Sequence, residues 1–216
     1  MTTRLLPVLL LLTLAVGCGD SESPSMVSAP APVTEAAVEV DPMAIRPFVV
    51  QVPDPVLDDL QTRLRATRYP DELSGAEWDY GTNLAYQREL ITYWADEFDW
   101  REQERQINAF DHYKTMIDGL DIHFIHQRSP EADAVPIIIT HGWPGSIAEF
   151  TKIIGPLTDP VAHGGQAEDA FHVVAASMPG YGFSDKPRTP GFGPEQIAEV
   201  NAALMARLGY ADPYAQ

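Results

Sequence analysis

Residues 135–146 read VPIIITHGWPGS. An apolar run that breaks at once into His141, Gly142, Trp143, Pro144 and Gly145 is the pattern of a strand buried on both faces that ends in a tight turn. The carboxyl end of such a strand is where open α/β sheets hold their ligands. Ser146 can cap a helix over residues 147–157, which would gather backbone N–H groups and the positive end of a helix dipole at the corner. The chemistry that suits this corner is stabilisation of a developing negative charge. A second glycine turn, MPGYGFSD at residues 178–185, follows the apolar run FHVVAAS at residues 171–177 and would stand at the end of a second buried strand.

Other chemistries fit less well. Gly180-Tyr181-Gly182 opens like a dinucleotide fingerprint, but the third glycine position is Asp185 and the next helix starts too late to receive a pyrophosphate, so no nicotinamide or flavin site is expected. No Walker loop and no GxSxG elbow occur, and Ser184 reads as a solvated turn serine. His123 and His126, three apart on a strand, face opposite sides and cannot chelate one metal together. With no HExxH or paired-cysteine spacing either, no metal is expected and the motifs ask for no cofactor. The formal net charge of −17, without a Lys/Arg cluster, argues against nucleic acid as a partner.

The elements that must position these turns follow from periodicity. Asp54 and Pro55 start a helix, by a capping carboxylate and a proline at the first helical position, with Leu57, Leu60 and Leu64 on one face to about Thr67. A second helix is expected over residues 83–98, with Leu84, Leu90, Ile91, Trp94 and Phe98 as a core stripe, and a third over residues 101–108, capped by Asp99. At His112 the period becomes two: residues 112–117 and 120–126 form strands joined by Asp118-Gly119, a strong hairpin signal. Strands over residues 135–140 and 171–177 follow, then a helix over residues 195–208 with Gly209 as its stop, and the start of a further strand from Tyr210. The fold class this implies is α/β: a doubly wound sheet preceded by a helical N-terminal region.

The chain opens with Arg4 and an apolar run over residues 5–16, too short for a comfortable membrane span, which reads as a secretory leader. The sole cysteine, Cys18, follows Leu14-Ala15-Val16-Gly17, which resembles a bacterial lipobox. That resemblance implies cleavage before Cys18, lipidation there, and a protein held to a membrane of the bacterial cell envelope, at the periplasmic or outer face. The Ser-, Ala- and Pro-rich stretch that follows lacks the apolar surface to offset chain entropy and is expected to be a disordered tether.

HGWPGS at residues 141–146, PGYGFSDKP at residues 179–187 and LMARLGY at residues 204–210 closely resemble the epoxide hydrolases of the microsomal and juvenile-hormone type. Trp78-Asp79-Tyr80-Gly81, Tyr93-Trp94, Asp99-Trp100-Arg101 and Asn108 are similar to the helical N-terminal region of that family. The resemblance implies an α/β-hydrolase core in which the Trp143 N–H serves an oxyanion hole shaped by His141, Gly142 and Pro144, with the Trp143–Pro144 bond cis. It also implies a small-molecule epoxide as substrate, an aspartate nucleophile, two lid tyrosines and a histidine with an acidic partner. In the family the nucleophile lies in a GGDWG turn directly after a segment like Tyr214-Ala215-Gln216, so these 216 residues are expected to form an incomplete α/β-hydrolase, inactive alone; neither His163 nor His172 qualifies as the base. The organisation read from all this is a signal peptide (residues 1–17), a lipid-anchored tether (18–42), the helical N-terminal region (43–110) and the first part of the hydrolase core (111–216). The same layout would also serve an esterase or a dehalogenase, and a lipid-anchored, non-catalytic binding module is the reading outside enzymes. The motifs speak to no oligomeric state.

Overall fold

Among the described residues, one mixed sheet of six strands positions both glycine turns. The computed structural model describes residues 41, 43–211 and 213–215. The leader, Cys18 and all of the tether except Asp41 lie outside the described residues.

β2 (His112–Ile117) and β3 (Leu120–Gln127) pair antiparallel about Asp118-Gly119. Both turn residues take positive φ, 51° and 77°, the requirement of the two-residue hairpin turn that the Asp-Gly pair signals. β3 then lies antiparallel to β5 (Phe171–Ala176), which runs parallel to β4 (Val135–Thr140), itself parallel to the short β6 (Tyr214–Ala215). The crossover from β4 to β5 packs Ile147, Phe150, Ile154 and Leu157 on one face, against Ile125, Ile139 and Val173. The crossover from β5 to β6 runs through α5 (Pro194–Arg207), whose Val200, Leu204 and Met205 fill the other face against Ile122, Phe124, Ile138 and Val174. Helices on alternate faces between parallel strands are what winds the sheet in both directions. α5 ends where Gly209, at φ 87°, lets the Tyr210 N–H turn back to the Met205 carbonyl at 3.0 Å. Leu204 is fully buried in the centre of this layer. Leu204→Ala is therefore expected to lower stability by about 2–5 kcal/mol, read from urea denaturation midpoints.

The helical N-terminal region consists of α1 (Asp54–Arg65), α2 (Leu84–Asp96) and α3 (Trp100–Ile107). The Asn83 and Asp99 side chains cap α2 and α3 by accepting from the Tyr86 and Glu102 N–H groups, each at 3.0 Å. α1 differs from expectation at its start. Pro53 is the N-cap and Asp54 is already helical, because the Asp54 carboxylate pairs with Arg101 of α3 instead of capping. The expected core stripe of α2 is also only half realised: Leu84, Ile91 and Phe98 are partly buried, whereas Leu90 and Trp94 stay exposed alongside Tyr86 and Tyr93.

A strand that periodicity did not reveal, β1 (Arg46–Phe48), ties this region to the sheet by pairing antiparallel with β2. It is short, contains Pro47 and lies at an edge, the one place in a sheet where a missing N–H costs little. Arg46 reaches across β2 to Asp121. Asn108 then brackets Val50, accepting from its N–H at 2.9 Å and donating to its carbonyl at 2.8 Å. Glu104 accepts from the Val52 N–H and the Arg101 guanidinium, both at 2.7 Å, and from the Trp100 indole at 3.3 Å. Burial pushes the Glu104 carboxyl up, but these donors together outweigh it and hold the group below the ordinary glutamate value. Glu104→Ala, which leaves the Val52 N–H and Arg101 without their acceptor, is expected to cost about 3 kcal/mol in urea denaturation, and Glu104→Gln less.

Candidate active-site corner

The two glycine turns that the sequence places 37 residues apart meet at the carboxyl ends of the adjacent parallel strands β4 and β5, where the Met178 N–H donates to His141 Nε2 at 3.2 Å. With Nε2 an acceptor, a neutral His141 carries its proton on Nδ1, which donates to the Gly142 carbonyl at 3.3 Å. Its ring also packs edge-on against Tyr181 at 5.3 Å. His141 is 3% exposed, while Trp143 beside it is 81% exposed. The histidine is thus the fixed point from which an exposed corner projects.

The corner is a tight loop. The Trp143–Pro144 peptide is cis, and the Gly145 N–H closes onto the Gly142 carbonyl at 2.7 Å. A side chain at residue 145 would run into the Glu149 carboxylate. No described residue accepts a hydrogen bond from the Trp143 N–H. Ser146 does act as a cap, accepting from the Ala148 N–H at 3.3 Å, but the helix behind it is not the continuous one expected over residues 147–157. A four-residue 3-10 turn (Ile147–Phe150) is followed, after a break, by the five-residue α4 (Ile154–Thr158). Pro156 accounts for the break: it has no N–H to offer the carbonyl of residue 152, and its ring crowds that carbonyl. The corner therefore offers a free backbone donor rather than a substantial helix dipole.

Behind the second turn, Ser184 has a different role from the solvated one expected of it. Its Oγ accepts from the His123 N–H at 2.9 Å and donates to the Ser177 carbonyl at 2.7 Å, so it pins the turn to β3. Ser177, fully buried, bonds through Oγ to His123 Nδ1 at 2.8 Å, and His123 Nε2 meets His112 Nδ1 at 2.9 Å. Gly182 is needed beside them, since at φ 50° a Cβ there would stand 2.7 Å from Ser177 Oγ. Sequence reasoning missed this cluster, although the hairpin register contained it. His112 faces Ile125, which makes His123 its diagonal neighbour on the same face of the sheet. His123 and His126 do face opposite sides: His126 Nε2 bonds the Tyr210 hydroxyl at 2.9 Å. His172 accepts from the Ser129 N–H at 3.0 Å, away from the corner, and His163 lies in a 3-10 turn (Val161–His163). Among the described residues no three His, Cys, Asp or Glu side chains gather as metal ligands.

A sheet in this order, with helices on both faces and a tight glycine turn at the end of β4, is the arrangement of an α/β-hydrolase fold. Two family models match the chain: the epoxide hydrolase N terminus over residues 45–150 and the alpha/beta hydrolase fold over residues 135–216. The chain belongs to the epoxide hydrolase family, of which it carries the N-terminal region and the first part of the hydrolase fold. It is 51% identical over 172 residues to a Stigmatella aurantiaca protein named as a candidate epoxide hydrolase, covering 80% of this chain and 39% of that one. Epoxide hydrolase 1 of Oryctolagus cuniculus is 41% identical over 183 residues, 83% of this chain and 40% of the relative. The crystal structure of juvenile hormone epoxide hydrolase from the silkworm Bombyx mori superposes with a TM-score of 0.71 at 34% identity, over 80% of this chain and 46% of that one. The chain spans about two-fifths of the length of the curated relatives it matches.

Proposed function

We propose that this chain supplies the oxyanion corner and the N-terminal scaffold of an enzyme that hydrolyses a small-molecule epoxide to a vicinal diol. In this reading an aspartate opens the epoxide and forms an ester, while two lid tyrosines hydrogen-bond the epoxide oxygen. A histidine with an acidic partner then activates water, and the Trp143 N–H stabilises the oxyanion of the tetrahedral species as the ester is cleaved. The nucleophile, tyrosines, acid and histidine are assigned to sequence outside these 216 residues. The observation that carries the reading is the unpartnered Trp143 N–H on a loop fixed by His141 to the next strand's turn. The alternatives differ in what would stand opposite that donor: a serine for an esterase, an aspartate without lid tyrosines for a dehalogenase. The test is a chimera in which the remainder of the Stigmatella aurantiaca relative continues this chain, assayed with styrene oxide beside the 216 residues alone. Diol formation by the chimera and none by the chain is the expected outcome. Turnover by the chain alone would refute the assignment of the nucleophile.

The same proposal places the protein in the bacterial cell envelope, exported by its leader and held to a membrane by lipid on Cys18, facing the periplasm or the exterior. Labelling cells with radioactive palmitate is expected to mark the protein, and Cys18→Ser is expected to abolish the label. A labelled Cys18→Ser protein would rule out that anchor.

A further inference from the structure

One line of hydrogen bonds runs from the helical N-terminal region to the corner. The Ile107 carbonyl at the end of α3 lies 2.8 Å from His112 Nε2, His112 Nδ1 lies 2.9 Å from His123 Nε2, and His123 Nδ1 lies 2.8 Å from Ser177 Oγ. The next residue, Met178, donates its N–H to His141, which holds Gly142. A carbonyl can only accept, so the direction of the whole relay is determined. His112 must carry its proton on Nε2, which makes Nδ1 an acceptor; His123 must then donate from Nε2 and accept at Nδ1, and Ser177 must donate to it.

We propose that this line is an acid-sensitive latch on the oxyanion corner, in which one proton taken up at His112 reverses the relay and turns Ser177 Oγ from donor to acceptor. The inference rests on the reading of Trp143 as an oxyanion donor, and it adds a regulation of that site. A second proton on His112, at Nδ1, would face the Nε2–H of His123, donor against donor. His123 must then move its own proton to Nδ1, whereupon Ser177 Oγ changes from donor to acceptor. Its hydroxyl proton then has to find another acceptor. Residues 177–178 also carry the other end of the His141 bond, so the reversal at Ser177 reaches the corner through one backbone step.

The surroundings suit such a role. A cavity of about 290 Å³, lined by Asn108, Phe110, Asp111 and His112 among others, gives a proton a way in from solvent. The charged groups that bear on the pair are Asp111, which favours protonation of His112, and Lys114 of β2, which opposes protonation of His123. Besides the hydrogen-bond partners already named, Phe48 of β1 and Phe183 of the second turn each pack against His123 at 5.2 Å. Burial lowers both histidines, His123 to about 3, and His112 is the one that lines the cavity and has Asp111 beside it, so the proton enters there.

Solution NMR of the 216-residue chain, labelled with ¹⁵N, tests the latch without any epoxide, so it can fail or succeed apart from the functional reading. At pH 7 both His112 and His123 are expected as Nε2–H tautomers. On acidification the amides of Ser177, Met178, Gly142 and Trp143 are expected to shift together with the His112 ring. Those of Leu204 and Met205 should stay in place until the whole chain unfolds. His112→Phe, which keeps a ring but has no proton site, should leave the corner amides unmoved over that range, and Ser177→Ala should uncouple them from the His112 titration. Corner amides that move only with Leu204 and Met205 in one global step would overturn the proposal. So would corner shifts that persist in His112→Phe. If neither variant gives a folded spectrum, the order of events in the wild-type titration decides alone.

Discussion

Urea denaturation of this chain repeated from pH 7 down to pH 4 is expected to show a steep loss of stability, with His123 contributing roughly 1.4 kcal/mol per pH unit. The ordinary histidine value is 6.5, and burial first, then the neighbouring His112 and Lys114, lower His123 to about 3. In that window the unfolded chain binds a proton at His123 that the folded chain refuses, so stability rises with pH and falls on acidification. The contribution is fully present above pH 6.5 and is gone once the pH has dropped through the folded value. His126 adds to the same slope, lowered to about 4 by burial, Arg128 and His172, but it is partly open to solvent and weighs less. Set against a total stability of about 5–15 kcal/mol for a domain, the loss of about 3–4 kcal/mol from His123 between pH 6.5 and pH 4 is a large share of the whole. His123→Phe should flatten the slope by about one proton while lowering stability at pH 7, because His112 Nδ1 and Ser177 Oγ lose their partner. A pH slope that His123→Phe leaves unchanged would mean the acid sensitivity lies elsewhere.

In the chimera with styrene oxide, Trp143→Pro is expected to slow ester hydrolysis by about 10²–10³-fold, the usual cost of losing one oxyanion donor, about 2.7–4 kcal/mol. Proline is the substitution that removes the backbone N–H itself. Trp143→Ala keeps that N–H and removes a side chain that is mostly exposed in this structure. It should therefore stay within a few-fold of the parent. The contrast between the two variants separates the backbone donor from the indole. Similar losses in both would assign the effect to the side chain and take the donor role away from the corner.

Much of the frame was legible because local rules agree with one another here. Asp118-Gly119 set the hairpin, Asn83 and Asp99 set two helix starts, and the largely apolar β4 and β5 read as interior strands. What escaped was decided by contacts distant in sequence. β1 exists because Asn108 and Glu104 capture residues 50 and 52 from α3 and its end, which no periodicity of residues 46–52 encodes. Asp54 fails to cap because Arg101 claims it. The helix behind the corner breaks at Pro156, a local signal that an otherwise apolar run obscured. For the corner, sequence pointed to His141 as a shaper of the loop, but only the parallel pairing of β4 with β5 reveals that it works by accepting the Met178 N–H. The buried pair of His112 and His123 followed from the hairpin register yet went unread, because the pair is diagonal rather than directly opposed.

The role proposed for Trp143 requires its N–H to act after the epoxide has been opened. Intact-protein mass spectrometry of the Trp143→Pro chimera, quenched during turnover of styrene oxide, measures this most directly. The covalent ester is expected to accumulate to near one equivalent per protein, because ring opening proceeds while ester hydrolysis has lost its donor. A folded Trp143→Pro chimera that forms diol at the parent rate with no ester accumulating would contradict it.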